Sequence, residues 1–246
     1  MKNFKPHLTI TIGIPAHNEA ANIGNLLKSI LVQKSKNFVI EKIIVICDGC
    51  TDDTAQVAKS FDTAKAVVTV IKRKKRSGKM ETLNQIYSLN RSDILITLDA
   101  DLVLAKDHAM EKIVRAFEDP TVALAAFHQE PIESDSFVGR ICRASDVFWI
   151  NTRIHVNGGD HIHNLQGSAT AMRADIAKHV RYPKDLNNDS DYLYIVGKRY
   201  GSFRYVYNAH IWYRSPATLK DFWLIASRAI FYRRKQTRKY LGSEVD

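Results

Sequence analysis

Short apolar runs alternate with helix-like patterns through the first half of the chain. Strands are predicted where the apolar residues are nearly continuous, at residues 8–14, 43–47, 66–71, 94–98 and 122–127. Helices are predicted where apolar residues recur three and four positions apart, at residues 23–31, 53–61, 80–89 and 107–117. Because strands that are apolar on both faces must be covered on both, the alternation predicts an α/β fold. We expect a mostly parallel central sheet with helices on both faces.

The second half has a less regular pattern. Helices are predicted at residues 134–156 and 189–200, strands at 167–172 and 203–213, and a final helix from Pro216. No internal repeat or low-complexity linker divides the sequence. We therefore expect a single domain over residues 1–246 that ends in a basic, amphipathic helix over residues 215–246.

Polar side chains collect where the predicted strands end. Residues 15–19 follow the first strand, Asp48 the second, and Asp99-Ala100-Asp101 the fourth. In parallel α/β sheets, ligands bind beyond the carboxyl ends of the strands. Asp99 and Asp101 are two positions apart and so point the same way in an extended chain. Carboxylate oxygens suit Mg²⁺ or Mn²⁺, although an Asp-x-Asp pair by itself also occurs in turns and helix caps.

Composition and cysteine usage bound the class of protein. The 246 residues are 25% charged and 45% hydrophobic, with no apolar run long enough to cross a membrane. The first residues lack the apolar core of a signal peptide, so we expect a cytoplasmic protein. Three cysteines argue against a disulfide framework. Cys47 and Cys50 have the spacing of a thiol redox motif, which we keep as a minor alternative, and Cys142 is expected to be a core residue.

A formal net charge of +10 indicates an anionic partner without identifying it. One basic cluster covers residues 72–76, where a solvated loop is the simplest interpretation. The other lies near the C-terminus and comprises Arg228, Arg233, Arg234, Lys235, Arg238 and Lys239. From charge alone, nucleic acid, a sugar nucleotide and anionic lipid all remain open.

Six segments occur in an order that identifies a family. They are Pro15–Glu19 (P-A-x-N-E), Cys47–Thr54 (D-D-G-S-T-D-x-T), Gly78-Lys79 with Leu83-Asn84 (G-K-x-x-A-L-N), Asp99–Asp101 (D-x-D), Gly167-Ser168 with Arg173 (G-S/G), and Asn188–Asp191 (E-D-x-D). Together they resemble family 2 glycosyltransferases, which have the GT-A (Rossmann-like) fold. The resemblance implies inverting, metal-dependent transfer of a sugar from a nucleotide-diphosphate sugar, expected to be UDP-linked, to an acceptor hydroxyl. It assigns residues 1–128 to the donor and residues 129–214 to the acceptor.

The resemblance implies a donor site made of Pro15, Ala16, Asn18, Glu19, Asp48, Lys79, Asp99 and Ala100. Asp48 would accept a hydrogen bond from a pyrimidine imide, or else cap a turn. Glu19 would approach the nucleotide, or else match the dipole of the following helix. Lys79 opens a helix, where a cation and free N–H groups suit a diphosphate.

The implied cofactor is Mn²⁺ or Mg²⁺. Asp101 would bind the ion directly, with Asp99 nearer the ribose or a metal-bound water. His161 and His163 could add a metal ligand, or belong to a flexible acceptor loop beside Gly158 and Gly159.

The implied catalytic base is Asp189, which would take the proton of the acceptor hydroxyl. Asn188 stands where the family usually has Glu, so a nucleotide-sugar-binding pseudoenzyme remains an alternative. Asp191 is the reserve base and, with Gly167 and Ser168, an expected acceptor contact. Either aspartate could instead cap the helix that follows.

The C-terminal segment separates single-transfer from processive members of the family. Processive members carry Q-x-x-R-W and membrane helices, whereas residues 225–230 hold only Arg228 of that motif. We therefore expect a single transfer to a sugar or lipid-linked acceptor. The final helix mixes aromatic and basic residues, so it either lies on an anionic cytoplasmic leaflet or packs on the domain.

Two further functions fit the sequence less well. A sugar-nucleotide pyrophosphorylase would open with a Gly-rich, basic loop, which residues 13–19 do not form. A nucleic-acid-binding protein would use the basic clusters, but the strand-end carboxylates would repel a phosphate backbone. No nucleic-acid partner is expected.

Overall fold

A computed structural model describes residues 7–33, 37–63, 67–106, 108–186, 188–227 and 239–242. The strands in chain order are β1 (Leu8–Ala16), β2 (Phe38–Asp48), β3 (Val68–Arg73), β4 (Ile94–Leu98), β5 (Val103–Leu104), β6 (Val122–Pro131), β7 (Ala169–Arg173) and β8 (Ser202–Tyr213). The helices are α1 (Ile23–Leu31), α2 (Thr54–Lys59), α3 (Lys79–Leu89), α4 (Ala109–Arg115), α5 (Phe137–Arg153), α6 (Ala174–His179), α7 (Asp189–Lys198) and α8 (Leu219–Ser227).

The strands form one sheet in the order β3-β2-β1-β4-β7-β6-β8-β5. The first four strands of that order are parallel to one another, as predicted from their continuous apolar runs. β4 occupies the predicted residues 94–98, and all five are buried. The predicted α/β fold with a mostly parallel sheet is confirmed.

The fifth predicted strand, β6, does not extend the parallel series next to β4. Instead β7 lies between them and pairs antiparallel with both. Four of the five residues of β7 are buried, and Ala169, Thr170 and Ala171 are small enough for a central position between two packed layers. β8 then pairs parallel with β6, so the polar ends of β6 and β8 lie side by side.

Two hydrophobic cores cover the two faces of the sheet. Neighbouring residues of β2 belong to different cores, because Ile43 packs in one and Ile44 in the other. α1, α2 and α4 contribute to the first core, and α3, α6 and α7 to the second. The alternation of side chains along a strand explains why the sheet needs helices on both faces.

The C-terminal segment was predicted as one helix over residues 215–246. Its described part covers residues 215–227 and 239–242. The helix α8 begins at Leu219, later than predicted, and has no buried residue. Lys239 binds Asp185 at 2.7 Å. Arg228, Arg233, Arg234, Lys235 and Arg238 lie outside the described residues. No helix among the described residues has the length and hydrophobicity to span a bilayer.

Candidate active site

Two cavities open beyond the carboxyl end of β4 and share Asp99 and Asp101. The smaller cavity, about 250 Å³, is lined by the ends of β1, β2 and β4 and by α3. The larger cavity, about 470 Å³, is lined by residues from β6, β8, α5 and α8. The pair of carboxylates therefore stands where two ligands could meet.

The smaller cavity collects most of the residues predicted to bind a donor. Its lining comprises Pro15, Ala16, His17, Glu19, Asp48, Arg76, Lys79, Thr82, Asp99, Ala100 and Asp101. Asn18 is the predicted residue that does not line it. Its φ is 56°, and its side-chain oxygen accepts a hydrogen bond from the Thr51 N–H at 2.8 Å. Asn18 therefore joins the loop after β1 to the loop after β2.

Asp48 organises the loop that leads into α3. Its carboxylate accepts hydrogen bonds from the N–H groups of Ser77 and Gly78 at 2.8 and 2.7 Å, and from Arg73 at 3.2 Å. Gly49 has a φ of 67°, and a Cβ there would collide with the Arg76 backbone. An ionised carboxylate accepts about four hydrogen bonds, so these contacts leave room for a nucleobase N–H.

Glu19 faces the smaller cavity from the loop after β1. Its N–H donates to Thr54 Oγ1 at 2.7 Å, and its carboxylate accepts from the Asn22 side chain at 2.8 Å. Burial raises the pKa of Glu19, and the charges of Asp101 and Asp52 add to the effect. The negative charges of Glu19 and Asp101 therefore repel each other across the smaller cavity.

Lys79 joins three parts of the site. Its Nζ lies 2.8 Å from Asp99 Oδ2, 3.2 Å from Asp189 Oδ2 and 3.5 Å from the Gly167 carbonyl oxygen. Burial alone would lower the pKa of Lys79, but the two carboxylates outweigh it and raise the pKa above its ordinary value. Burial raises the pKa of Asp99 to about 6 against the opposing charge of Lys79. Asp189, the predicted catalytic base, is thus linked to Asp99 through Lys79, and neither cavity includes Asp189 in its described lining.

Gly167 permits the close approach of Asp189. A Cβ at position 167 would overlap the Asp189 carboxylate. The Gly167 N–H donates to Ser190 Oγ at 2.8 Å, which ties this turn to the first turn of α7. Asn188 caps that helix, because its side-chain oxygen accepts from the N–H groups of Ser190 and Asp191. The capping role that was an alternative for the aspartates is therefore filled by Asn188. Asp191 is buried, and neither cavity includes it in its described lining.

Gln129 is a site residue that the sequence did not suggest. It is 3% exposed at the polar end of β6, and its Oε1 accepts from Ser168 Oγ at 2.9 Å. Its Nε2 is buried and has no hydrogen-bond partner among the described residues. Because an unpaired buried donor is costly, this nitrogen is suited to a ligand in the larger cavity. The signal that could have revealed it is a glutamine two positions after the apolar run of residues 122–127, within the same strand.

Arg76 and Arg214 were also missed. Arg76 lines the smaller cavity and Arg214 the larger, whereas Arg73 of the same basic run is held by Asp48, Thr82 and Gln85. The interpretation of residues 72–76 as a solvated loop is therefore wrong for Arg73, whose side chain is 17% exposed. A run of like charges does not reveal which member turns inward.

Asp99 and Asp101 fit a hard divalent cation. Both are oxygen donors, Asp101 is exposed at the junction of the cavities, and its negative charge raises the pKa of both Asp99 and Glu19. Among the described residues, neither cavity is lined by His161 or His163. Those rings lie 4.9 Å apart, and His161 Nδ1 accepts from the His163 N–H. With two protein carboxylates, the oxygens of a diphosphate would complete the coordination.

Comparison with known proteins identifies the family and agrees with this fold. The family model of glycosyl transferase family 2 matches residues 11–181, so the chain belongs to that family. A 4,4'-diaponeurosporenoate glycosyltransferase of Staphylococcus aureus is 34% identical over 116 residues, which cover 47% of this chain and 30% of that protein. The matched region thus spans less than a third of the relative's length.

Solved structures show the same fold. A mannosyltransferase from Pyrobaculum calidifontis, in complex with GDP-Man and Mn²⁺, has a TM-score of 0.72 at 18% identity, over 93% of this chain and 64% of that one. S. aureus TarS 1-349 in complex with UDP-GlcNAc has a TM-score of 0.64 at 16% identity, over 86% and 60% of the two chains. The predicted GT-A fold and family 2 membership are confirmed.

Proposed function

We propose that this chain is an inverting, divalent-metal-dependent glycosyltransferase that makes a single transfer from a UDP-linked sugar to an acceptor hydroxyl. The observation that supports it most strongly is the junction of the two cavities at Asp99-Ala100-Asp101. A donor in the smaller cavity and an acceptor in the larger one would place the anomeric carbon beside both carboxylates.

The donor is held by residues of four loops. Pro15, Ala16 and Asp48 contact the nucleoside, and Asp48 accepts from the imide N–H of uracil. Arg76 and Lys79 bind the diphosphate. Asp101, with Asp99 beside it, would hold Mn²⁺ or Mg²⁺, and the bound ion would neutralise charge on the leaving diphosphate. The mannosyltransferase from Pyrobaculum calidifontis, solved in complex with GDP-Man and Mn²⁺, supports this choice of ion.

Asp189 acts as the general base. Its carboxylate is paired with Lys79 at 3.2 Å, and a bound diphosphate offers Lys79 a competing anion. As Lys79 turns to the diphosphate, Asp189 becomes free to accept the proton of the acceptor hydroxyl. The hydroxyl oxygen forms the new bond to the anomeric carbon while the bond to the diphosphate breaks on the opposite side. One displacement inverts the configuration.

The acceptor enters through the larger cavity, where Gln129, Gln166 and Ser168 form one wall. Ser168 holds the Gln129 side chain, and Gln129 Nε2 then donates to an acceptor oxygen. Phe222, Ile225 and Ala226 of α8 also line this cavity, which suits an acceptor with an apolar portion. The acceptor class we propose is therefore lipid-linked.

Helices α5 and α8 provide a contact with an anionic bilayer. Exposed apolar residues gather on α5 and α8 beside the larger cavity: Phe137, Ile141, Phe148, Trp149, Leu219, Phe222, Trp223, Leu224 and Ile225. The sequence continues from α8 into the basic cluster that begins at Arg228. Apolar insertion next to basic residues is the chemistry of a peripheral membrane helix.

The test is transfer of radiolabelled sugar from UDP-sugars to lipid extracts, with Asp189→Asn as the altered chain and Asp175→Asn as the surface control. We expect Asp189→Asn to lose at least about 100-fold in kcat, as for a general base, while UDP affinity changes little. Turnover by Asp189→Asn equal to the control would contradict the role of Asp189. UDP binding without turnover by any donor would identify a pseudoenzyme.

A further inference from the structure

A second group of metal-ligating side chains lies on β6 and β8, apart from the Asp99–Asp101 pair. His128 and Glu130 are two positions apart on β6 and so share a face of the sheet, and His128 is the register partner of His210 on β8. One nitrogen from each histidine and one oxygen of Glu130 all lie within 4.8 Å of one another. None of the three lines either cavity of the active site among the described residues.

The two distances from Glu130 to the histidine nitrogens fit tetrahedral coordination. Glu130 Oε1 lies 3.2 Å from His128 Nε2 and 3.0 Å from His210 Nδ1, and the two imidazole rings are 5.0 Å apart. For metal–ligand bonds of about 2.0 Å, ligand atoms in a tetrahedron are about 3.3 Å apart. An ion could therefore be accommodated between these atoms with small side-chain shifts. Because three protein ligands are present, water would supply a fourth.

The surroundings of His128 orient it for this role. Its Nδ1 lies 2.8 Å from the Tyr205 hydroxyl. In the tautomer whose Nδ1–H donates to that hydroxyl, Nε2 keeps its lone pair for a metal. His128 is 12% exposed, His210 32% and Glu130 41%, so the group is partly open to solvent on one side. Burial lowers the pKa of His128, and the Glu130 carboxylate opposes that shift.

The position in the sheet indicates what an ion would stabilise. The pairing of β6 with β8 shifts between Phe127 and His128, because Phe127 pairs with Val206 whereas His128 pairs with His210. The ladder is therefore interrupted beside the group, as at a β-bulge. Gln129, the next residue of β6, points to the opposite face and forms the wall of the larger cavity.

We propose that His128, Glu130 and His210 form a zinc-class metal site that fastens β6 to β8 at this register shift, on the opposite face of the sheet from Gln129. Two imidazoles and one carboxylate favour Zn²⁺ or Co²⁺ over the Mg²⁺ or Mn²⁺ expected at Asp101. The bound ion holds the strand ends that carry Gln129 and Tyr213, and so stabilises the acceptor side.

The test is direct binding of Zn²⁺ and Co²⁺ to the full chain after treatment with a chelator. We expect about one Zn²⁺ per chain, a rise in Tm, and the intense visible absorption of tetrahedral Co²⁺. Glu130→Gln and His210→Asn should each weaken Zn²⁺ binding about tenfold or more. His155→Asn, an exposed histidine at the end of α5, and Asp101→Ala should bind Zn²⁺ like the parent chain.

Several results would overturn the site. They are the absence of stoichiometric Zn²⁺ binding, binding that survives in both Glu130→Gln and His210→Asn, and binding lost in Asp101→Ala. The Tm of each metal-free variant shows whether it is folded, and Glu130→Gln keeps the shape of the side chain it replaces. UDP binding with Mn²⁺ is measured on the same variants. If the parent chain does not bind UDP with Mn²⁺, the proposed transferase is contradicted. If the parent chain binds UDP but not Zn²⁺, only the His128–Glu130–His210 site is contradicted.

Discussion

At the scale of single residues, the site depends on Gly167, because any side chain at this position would collide with Asp189. Gly167→Ala places a Cβ against the Asp189 carboxylate, so we expect a loss of transfer activity together with a lower Tm. Gly24→Ala, in α1, is the control, because its Cβ would meet only ordinary contacts starting at 3.5 Å. That change should stabilise the protein by about 0.5–1 kcal/mol. Equal effects of the two substitutions on activity would contradict the geometry of the Gly167 turn.

The reactivity of the Cys47 thiol distinguishes the proposed transferase from the thiol redox alternative. Its thiol is buried at the end of β2, and burial, with the neighbouring Cys50, raises its pKa to about 12. Since the thiolate is the reactive form, Cys47 should resist alkylation in the folded protein and react only after unfolding. Iodoacetamide labelling read by mass spectrometry checks this. Rapid labelling of Cys47, or a reversible disulfide with Cys50, would favour the redox function.

The residue scale also shows where prediction from the sequence stops. Asp48, Lys79, Asp99 and Asp101 were found because they directly follow predicted strands or open a helix, and they line the smaller cavity. Gln129 was missed because its role comes from a strand pairing across the sheet. The Lys79–Asp189 ion pair joins residues far apart in the sequence, and no local pattern encodes it.

At the scale of secondary-structure elements, α8 carries the clearest prediction. Trp223 is 67% exposed, and no residue of α8 is buried, so Trp223→Ser should leave Tm unchanged. If α8 contacts a bilayer, the same change should weaken binding to vesicles that contain phosphatidylglycerol. Tyr200→Ser, the control, removes an aromatic residue that is 49% exposed in the turn after α7.

Vesicle co-sedimentation measures both variants. Weaker binding by Trp223→Ser than by Tyr200→Ser is the expected result. Equal vesicle binding by the two variants would contradict a contact between α8 and lipid. A lower Tm for Trp223→Ser would mean that Trp223 packs against the protein itself.

Strand limits were predicted well where both faces of a strand are buried. Strand order was predicted poorly, because it depends on which strands pair. β4 was predicted with its observed limits, because five consecutive buried apolar residues leave little choice. β6 was expected to continue the alternating series, but the antiparallel β7 lies between it and β4. The small residues of β7 gave a strand signal without indicating its neighbours. Strand order depends on packing between distant segments, which a local pattern does not encode.

At the scale of the whole molecule, one sheet forms two neighbouring cavities at the ends of its strands. The parallel strands β1, β2 and β4 end at the smaller cavity, and β6 and β8 end at the larger one. Asp99 and Asp101 stand between them at the end of β4. This arrangement explains why family 2 motifs from distant parts of the sequence meet in one place.

The most direct test of the account is calorimetric titration of the chain with UDP in the presence of Mn²⁺. We expect binding that disappears with a chelator and falls at least about tenfold in Asp101→Asn, because the diphosphate then loses its bridging cation. Asp135→Asn, an exposed aspartate before α5, should bind UDP like the parent chain. UDP binding that is indifferent to Mn²⁺ and to Asp101→Asn would contradict a metal-dependent nucleotide-sugar site at the junction of the two cavities.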